Sequence, residues 1–360
     1  MYGGAILGSG SFGCVFRPAI NCSGSGRKNN KKVSKIFFGT DSEIDCDNEL
    51  ELSRFIKKID PKNEWSYKWD IKCKSPKYET IFKLNKNIKI CLKNANIDIE
   101  RFNKTSYMLI GQYAGKVINE TRETMELQKC YEDIKRFKVI FLKIMKSVKP
   151  LFHGLNELYK NKVSHLDINR NNMTLQLDDK LFRYIDFGLS CKFKEINKYE
   201  NRSKTEFGWE RIYPPYSLEF IYLFAPKQLL EEELVDINSG INRTGFDMYL
   251  LIHEMVFERE DMEKYQIELL NNMILKKTPR GKILDLLDIY SLGIFIARML
   301  LENKPDNVSK LQFKRLLNEP IIKEFINLFK MMSEPVASKR MTPPEAYDKY
   351  LELEKKYLLH

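Results

Sequence analysis

VSHLDINRNNMTLQLDDKLFRYIDFGLS, residues 163–190, is the stretch that decides the fold. His165, Asp167 and Asn172 stand close together at its start, two short apolar runs follow, and Asp186 opens an Asp-Phe-Gly near its end. Asp167 has the chemistry to accept a proton from a hydroxyl. Asn172 and Asp186 offer a neutral and a charged oxygen, the hard donors that Mg2+ prefers when it also binds substrate phosphates. Gly188 lets the chain turn just after Asp186. Each piece alone reads equally well as a polar loop; the order and spacing together do not.

Upstream, GSGSFGCV carries Gly8, Gly10 and Gly13 as G-x-G-x-x-G-x-V. A strand candidate follows it, not the helix that a dinucleotide-binding turn requires. The pattern therefore suggests a hairpin whose bare backbone approaches phosphates, or simply a turn. Lys35 lies in the strand-like KKVSKIFF, twenty-two residues past Gly13, within reach of the same phosphates. A carboxylate must orient it. Glu49 and Glu51 both lie on the next helix candidate and face different sides. Leu52 and Ile56 share a face with Glu49, which favours Glu49.

Composition limits the alternatives. The chain has 360 residues with 43% hydrophobic and 30% charged residues and a net charge of +11, which reads as globular and disposed toward acidic or polyanionic partners. No apolar run approaches a membrane span, and the first residues lack the basic and apolar regions of a signal peptide. GRKNNKK is a short basic run read as a solvated hairpin loop, so no specific nucleic-acid motif is present. The seven cysteines have no C-x-x-C spacing and read as buried or incidental thiols in a reducing compartment. His253 in HEMVF has no second histidine four residues on, so a zinc-protease motif is excluded.

Along the chain, periodicity predicts a helix over 44–59 ended by Pro61, and strands at YETIFKL, IKICL and YMLIGQY. Beyond Gly115, helices are expected at 120–133, 135–160, 217–235, 246–275, 286–302, 310–316, 320–332 and 343–356, with short strands at 173–177 and 181–185.

Read in order, these motifs resemble a eukaryotic-type protein kinase, from Gly8 to about Tyr350. GSGSFGCV is similar to the Gly-rich loop, Lys35 to the phosphate-anchoring lysine and Glu49 to its helix partner. HLDINRNN is similar to the catalytic loop and DFG to the metal-binding loop. DIYSLG at 288–293 is similar to a core helix of the large lobe, and Arg340 to a late arginine that pairs with the glutamate ending the activation segment, here Glu219. The Lys/Asn-rich makeup and VSKIFFG further resemble kinases of large cytoplasmic DNA viruses, which implies a cytoplasmic location in a host cell, or the virion.

The resemblance implies an α+β, bilobal protein-kinase-like fold. A small β-rich N-lobe with one main helix would span 1–114, with an insert at about 60–90. A larger, mostly helical C-lobe would span 115–360, with a helical insert at about 223–284. It implies ATP with Mg2+, or Mn2+, and a protein substrate, an acidic one being compatible with the charge. Gly8, Gly10, Gly13, Val15, Val33 and Lys35 would surround the nucleotide, with Ile110 as gatekeeper and the backbone of Gly111 and Tyr113 at the adenine edge. Lys35, Glu49, Asp167, Arg170 and Asn172 would be catalytic, and Asn172 and Asp186 would bind metal. The implied reaction moves the γ-phosphoryl group of ATP to a protein hydroxyl, on Ser/Thr rather than Tyr.

Two departures matter. Leu166 stands where many kinases have arginine, and Asn169 where serine/threonine kinases have lysine, with Arg170 one residue on as a substitute cation. They keep open a pseudokinase or nucleotide-binding scaffold that acts through its inserts. A small-molecule or lipid acceptor is a third reading, opposed by DIYSLG and Arg340.

Overall fold

The computed structural model describes residues 5–10, 13–24, 29–127, 129–176, 178–193, 283, 285–302, 308–334 and 337–359. Their architecture is mixed α+β, with an N-terminal β-sheet region and a larger, mostly helical C-terminal region. The chain divides into two compact units, Met1–Gly115 with Ile185–Gly188, and Lys116–Tyr184 with Leu189–His360.

The first unit is built on five strands: β1 (Ala5–Gly10), β2 (Gly13–Arg17), β3 (Lys32–Phe37), β4 (Trp69–Lys74) and β5 (Tyr107–Gln112). They pair antiparallel in the order β1-β2-β3-β5-β4. Side chains alternate between the two faces of a strand, so register decides what each face carries. One face presents Phe37, Leu109, Trp69 and Tyr107 to Cys46 and Leu50 of α1 (Ser42–Ile59). The other presents Cys14, Phe16, Ile36, Met108 and Ile110 to Ile81, Ile88, Cys91, Leu92 and Phe102. Those last five residues belong to α2 (Tyr78–Leu84), α3 (Ile88–Asn94) and α4 (Ile99–Thr105).

The expected 44–59 helix thus exists and starts two residues earlier, with Glu43 and Asp45 in its first turn and Lys57 and Lys58 in its last, as the helix dipole favours. It stops before Asp60, which precedes Pro61, a position that disfavours helical backbone. Two expectations fail in the insert. YETIFKL and IKICL are the helices α2 and α3, not strands, and β4 is a strand that no reading anticipated. Short apolar runs do not distinguish helix from strand. Here Ile88, Cys91 and Leu92 bury at helical spacing of three and four.

The thiol reading is also corrected. Cys14 bonds to Cys91 and Cys22 to Cys73, leaving Cys46, Cys130 and Cys191 as buried thiols outside any disulfide. The bridges join positions 77 and 51 residues apart, which adjacent-pair spacing rules cannot detect. Both tie the β1–β2 hairpin region to the insert.

The second unit contains β6 (Lys116–Val117), α5 (Arg122–Leu127), α6 (Ile134–Ser147), α7 (Lys149–Lys160), β7 (Val163–Ser164), β8 (Met173–Leu175), β9 (Phe182–Tyr184) and β10 (Cys191–Lys192). After these come α8 (Leu287–Glu302), α9 (Lys310–Leu317), α10 (Pro320–Met332) and α11 (Pro343–Tyr357). β6, β8 and β9 form one small sheet, and β7 pairs with β10. The single helix expected over 135–160 is broken at Val148, where Pro150 occupies the first turn of α7. α11 starts with Pro343 in its first turn and a reciprocal cap between Thr342 and Glu345. α8 and α10 approach closely at Gly293, where a Cβ would stand 3.0 Å from the Phe329 carbonyl oxygen. Glu219, the candidates at 217–235 and 246–275, and nearly all of the expected insert at 223–284 lie outside the described residues. No helix of the described residues is long and apolar enough to cross a membrane.

Candidate active site

In the first unit three side chains from distant positions converge. Lys35 Nζ donates to Glu49 Oε2 at 2.8 Å, to Glu49 Oε1 at 3.1 Å and to Asp186 Oδ1 at 2.9 Å. Lys35 and Glu49 are buried, and Glu51 is exposed, so of the two candidate carboxylates Glu49 is the one that meets the lysine. Burial works to lower the pKa of Lys35, but the carboxylates of Asp186 and Glu49 outweigh it and hold the ammonium well above its ordinary range. Burial pushes Glu49 up to about 7 against the pull of Lys35, since one ammonium serves two carboxylates. Asp186 has left-handed backbone, φ 58°, an unfavourable conformation for a non-glycine residue that its ion pair to Lys35 helps to hold.

Register places the other expected residues of this unit. Val15 lies opposite Lys35 on the neighbouring strand, and Val33 opposite Gly111, so Val15, Val33, Lys35, Leu109 and Gly111 share a sheet face. Ile110, expected as gatekeeper, packs its side chain on the opposite face with Cys14, Phe16 and Ile36. A period of two leaves Gly111 on the Lys35 side instead. Tyr113 already donates its backbone N–H to the Lys31 carbonyl at 2.8 Å, and its ring carries the Arg17 guanidinium 3.5 Å from its centre. In the Gly-rich hairpin, Gly10 pairs with Gly13, and Gly8 is exposed. Only glycine fits at 13, because a Cβ there would stand 2.1 Å from the Ile36 carbonyl oxygen.

In the second unit the loop after β7 is held from below. The buried Asp288 of α8 accepts the backbone N–H groups of His165 at 2.5 Å and Leu166 at 3.0 Å. Burial raises the pKa of Asp288 to about 6, opposed by those two N–H donors. Leu166 is buried in left-handed backbone, φ 61°. That conformation costs about 1–2 kcal/mol for a non-glycine residue, and the two bonds to Asp288 hold it in place. Asp167 then projects with both carboxylate oxygens occupied: Asn169 Nδ2 donates to Oδ1 and Asn172 Nδ2 to Oδ2, each at 2.6 Å. Asn172 is buried, and its Oδ1 accepts no hydrogen bond from the described residues. Arg170 is exposed on the same loop. Asn169 thus does more than omit a cation: it helps orient Asp167. Among the described residues no three His, Cys, Asp or Glu side chains gather as a metal site.

Three contributors escaped the sequence reading. Asp288 was noted only as part of DIYSLG, Asn169 only as a missing lysine, and Trp69 not at all. A signal existed for Asp288, a charged residue inside the apolar LLDIYSLGIFIA. Arg340 is buried and donates to the carbonyls of Glu334 at 2.7 Å and Leu286 at 3.0 Å, over the ring of Tyr290. No protein-family model matches this chain, and no curated protein matches it.

Proposed function

We propose that the chain is an ATP-dependent protein kinase that transfers the γ-phosphoryl group to a protein hydroxyl, on Ser/Thr rather than Tyr. The observation that carries this reading is the buried Lys35 ammonium shared between Glu49 and Asp186. A lysine kept charged and aimed by two carboxylates is suited to holding phosphate oxygens, and phosphoryl transfer depends chiefly on positioning and charge neutralisation.

In this reading Lys35 binds the phosphates, beside the Gly8–Gly13 hairpin. Asp167 orients the acceptor hydroxyl and takes its proton, held by Asn169 and Asn172. Mg2+ would neutralise phosphate charge through the oxygens of Asp186 and Asn172; both are hard donors, and the Asn172 oxygen accepts no hydrogen bond from the described residues. The resemblance to protein kinases, and to those of large cytoplasmic DNA viruses, belongs to the same proposal, as do a protein substrate and a cytoplasmic or virion location.

The test gives purified protein radiolabelled ATP, Mg2+ and mixed protein acceptors, beside Asp186→Ala. Transfer that vanishes in the variant supports the reading, and phospho-amino-acid analysis then separates Ser/Thr from Tyr. Nucleotide binding without transfer to any acceptor, cell extract included, replaces it with a nucleotide-binding scaffold.

A further inference from the structure

We propose that Trp69 is a positioning residue for the Lys35 cluster: its indole N–H fixes the Glu49 carboxylate while its ring takes the space that Gly111 leaves empty. The inference rests on the role proposed above for Lys35 and Glu49.

Register is the first support. Between β4 and β5, Lys72 lies opposite Leu109 and Trp69 opposite Gly111, so the four residues Trp69–Lys72 of β4 match the three residues Leu109–Gly111 of β5. The extra residue is a β-bulge, which re-aims the side chains beyond it. Without it Asp70 would share the Lys72 face; with it Trp69 does, on the side of the sheet that packs on α1.

Contact geometry is the second. Trp69 Nε1 donates to Glu49 Oε1 at 2.5 Å, and the Trp69 backbone N–H donates to Ser53 Oγ at 3.3 Å. Glu49 and Ser53 stand four apart on α1, so this one residue grips two successive turns of a single helix face. Across the sheet, a Cβ on Gly111 would stand 2.9 Å from Trp69 Cε3 and 2.8 Å from the Lys68 carbonyl oxygen. The ring and the glycine are therefore complementary, and any larger residue at 111 would displace the indole from Glu49.

Electrostatics gives the reason for a neutral donor. Lys35 already divides itself between Glu49 and Asp186. The Lys72 ammonium of β4 is engaged by Asp47 at 2.6 Å and Glu43 at 3.7 Å. Trp69 supplies a second donor to a buried carboxylate without adding a competing charge.

The test reads the free protein first. Its three tryptophans give three indole N–H resonances in a nitrogen–proton spectrum, and Trp69→Phe identifies one by its loss. That resonance is expected to move on Glu49→Gln while the other two stay. Should Trp69→Phe not fold, Trp65→Phe and Trp209→Phe assign the signal by elimination. Calorimetry with ATP and Mg2+ is the second reading: Trp69→Phe is expected to weaken binding roughly tenfold, the scale of one hydrogen bond to a charged group. In a Glu49→Gln background the same change should cost no more than about twofold, because the partner is already altered. An indole signal indifferent to Glu49→Gln, or losses that simply add, would overturn the proposal. If the wild-type protein binds no nucleotide, the kinase reading fails, and the resonance still decides whether Trp69 holds Glu49.

Discussion

The two oxygen-rich sites are built on opposite plans. At Lys35 full charges meet, the ammonium and the Glu49 carboxylate buried and Asp186 half-buried, and the partners come from 14 and 151 positions away. At Asp167 neutral amides do the holding, and the donors lie two and five residues away on the same loop. The first plan needs a folded unit around it, since burying ions is costly unless each finds its counter-ion. The second needs only one loop in one conformation, and Asp288 provides that by gripping two backbone N–H groups. A fault in the first site should therefore appear in stability as well as activity. A fault in the second should appear in activity alone.

The sharpest way to break that contrast is Asp167→Asn. It keeps the shape and removes the base, so label transfer should fall about 10²–10⁴-fold while the unfolding midpoint in urea hardly moves. An equal fall in stability would erase the distinction. Next comes Lys35→Met, which leaves two carboxylates facing each other without a cation. Besides losing transfer, it should lose about 3 kcal/mol of stability, measured by urea unfolding. Asn169→Ala removes one of the two amides on Asp167 and should lower kcat about tenfold, the scale of one hydrogen bond to a charge, with KM for ATP unchanged. Asn169→Asp should do worse, because it sets a carboxylate against a carboxylate.

The smallest effect is a pH trend. Burial raises Glu49 from 4.5 to about 7, so the folded protein holds that proton more tightly than the unfolded chain does. Its contribution to stability therefore falls as pH rises from 4.5 through 7. Glu49→Gln has no proton to lose. Its thermal midpoint relative to wild type should rise across that window and level off above it.

Legibility in the sequence followed the same division. The Asp167 loop stood out because its polar residues are neighbours along the chain, and the structure joins them by hydrogen bonds. Lys35 and Asp186 were readable only through the order of motifs along the chain. What escaped depended on geometry that no local pattern encodes. A one-residue bulge turns Trp69 toward Glu49, and alternation along β5 sends Ile110 to the far face and leaves Gly111 on the near one. The insert was misread because seven-residue helices and strands of apolar residues look alike, and only burial at Ile88, Cys91 and Leu92 separates them. The 42–59 helix, by contrast, was nearly complete in the sequence, since eighteen residues give periodicity room to show.

The two disulfides are nested: the span from Cys22 to Cys73 lies wholly inside that from Cys14 to Cys91. The polypeptide there is a ring within a ring, and α1 with Glu49 is threaded on the inner one. A single protease cut between residues 23 and 72 would leave one covalent object, migrating intact on a non-reducing gel and separating into two pieces only after thiol is added. Glu49 would stay attached to the β2 side of the molecule even when the chain leading to it had been severed.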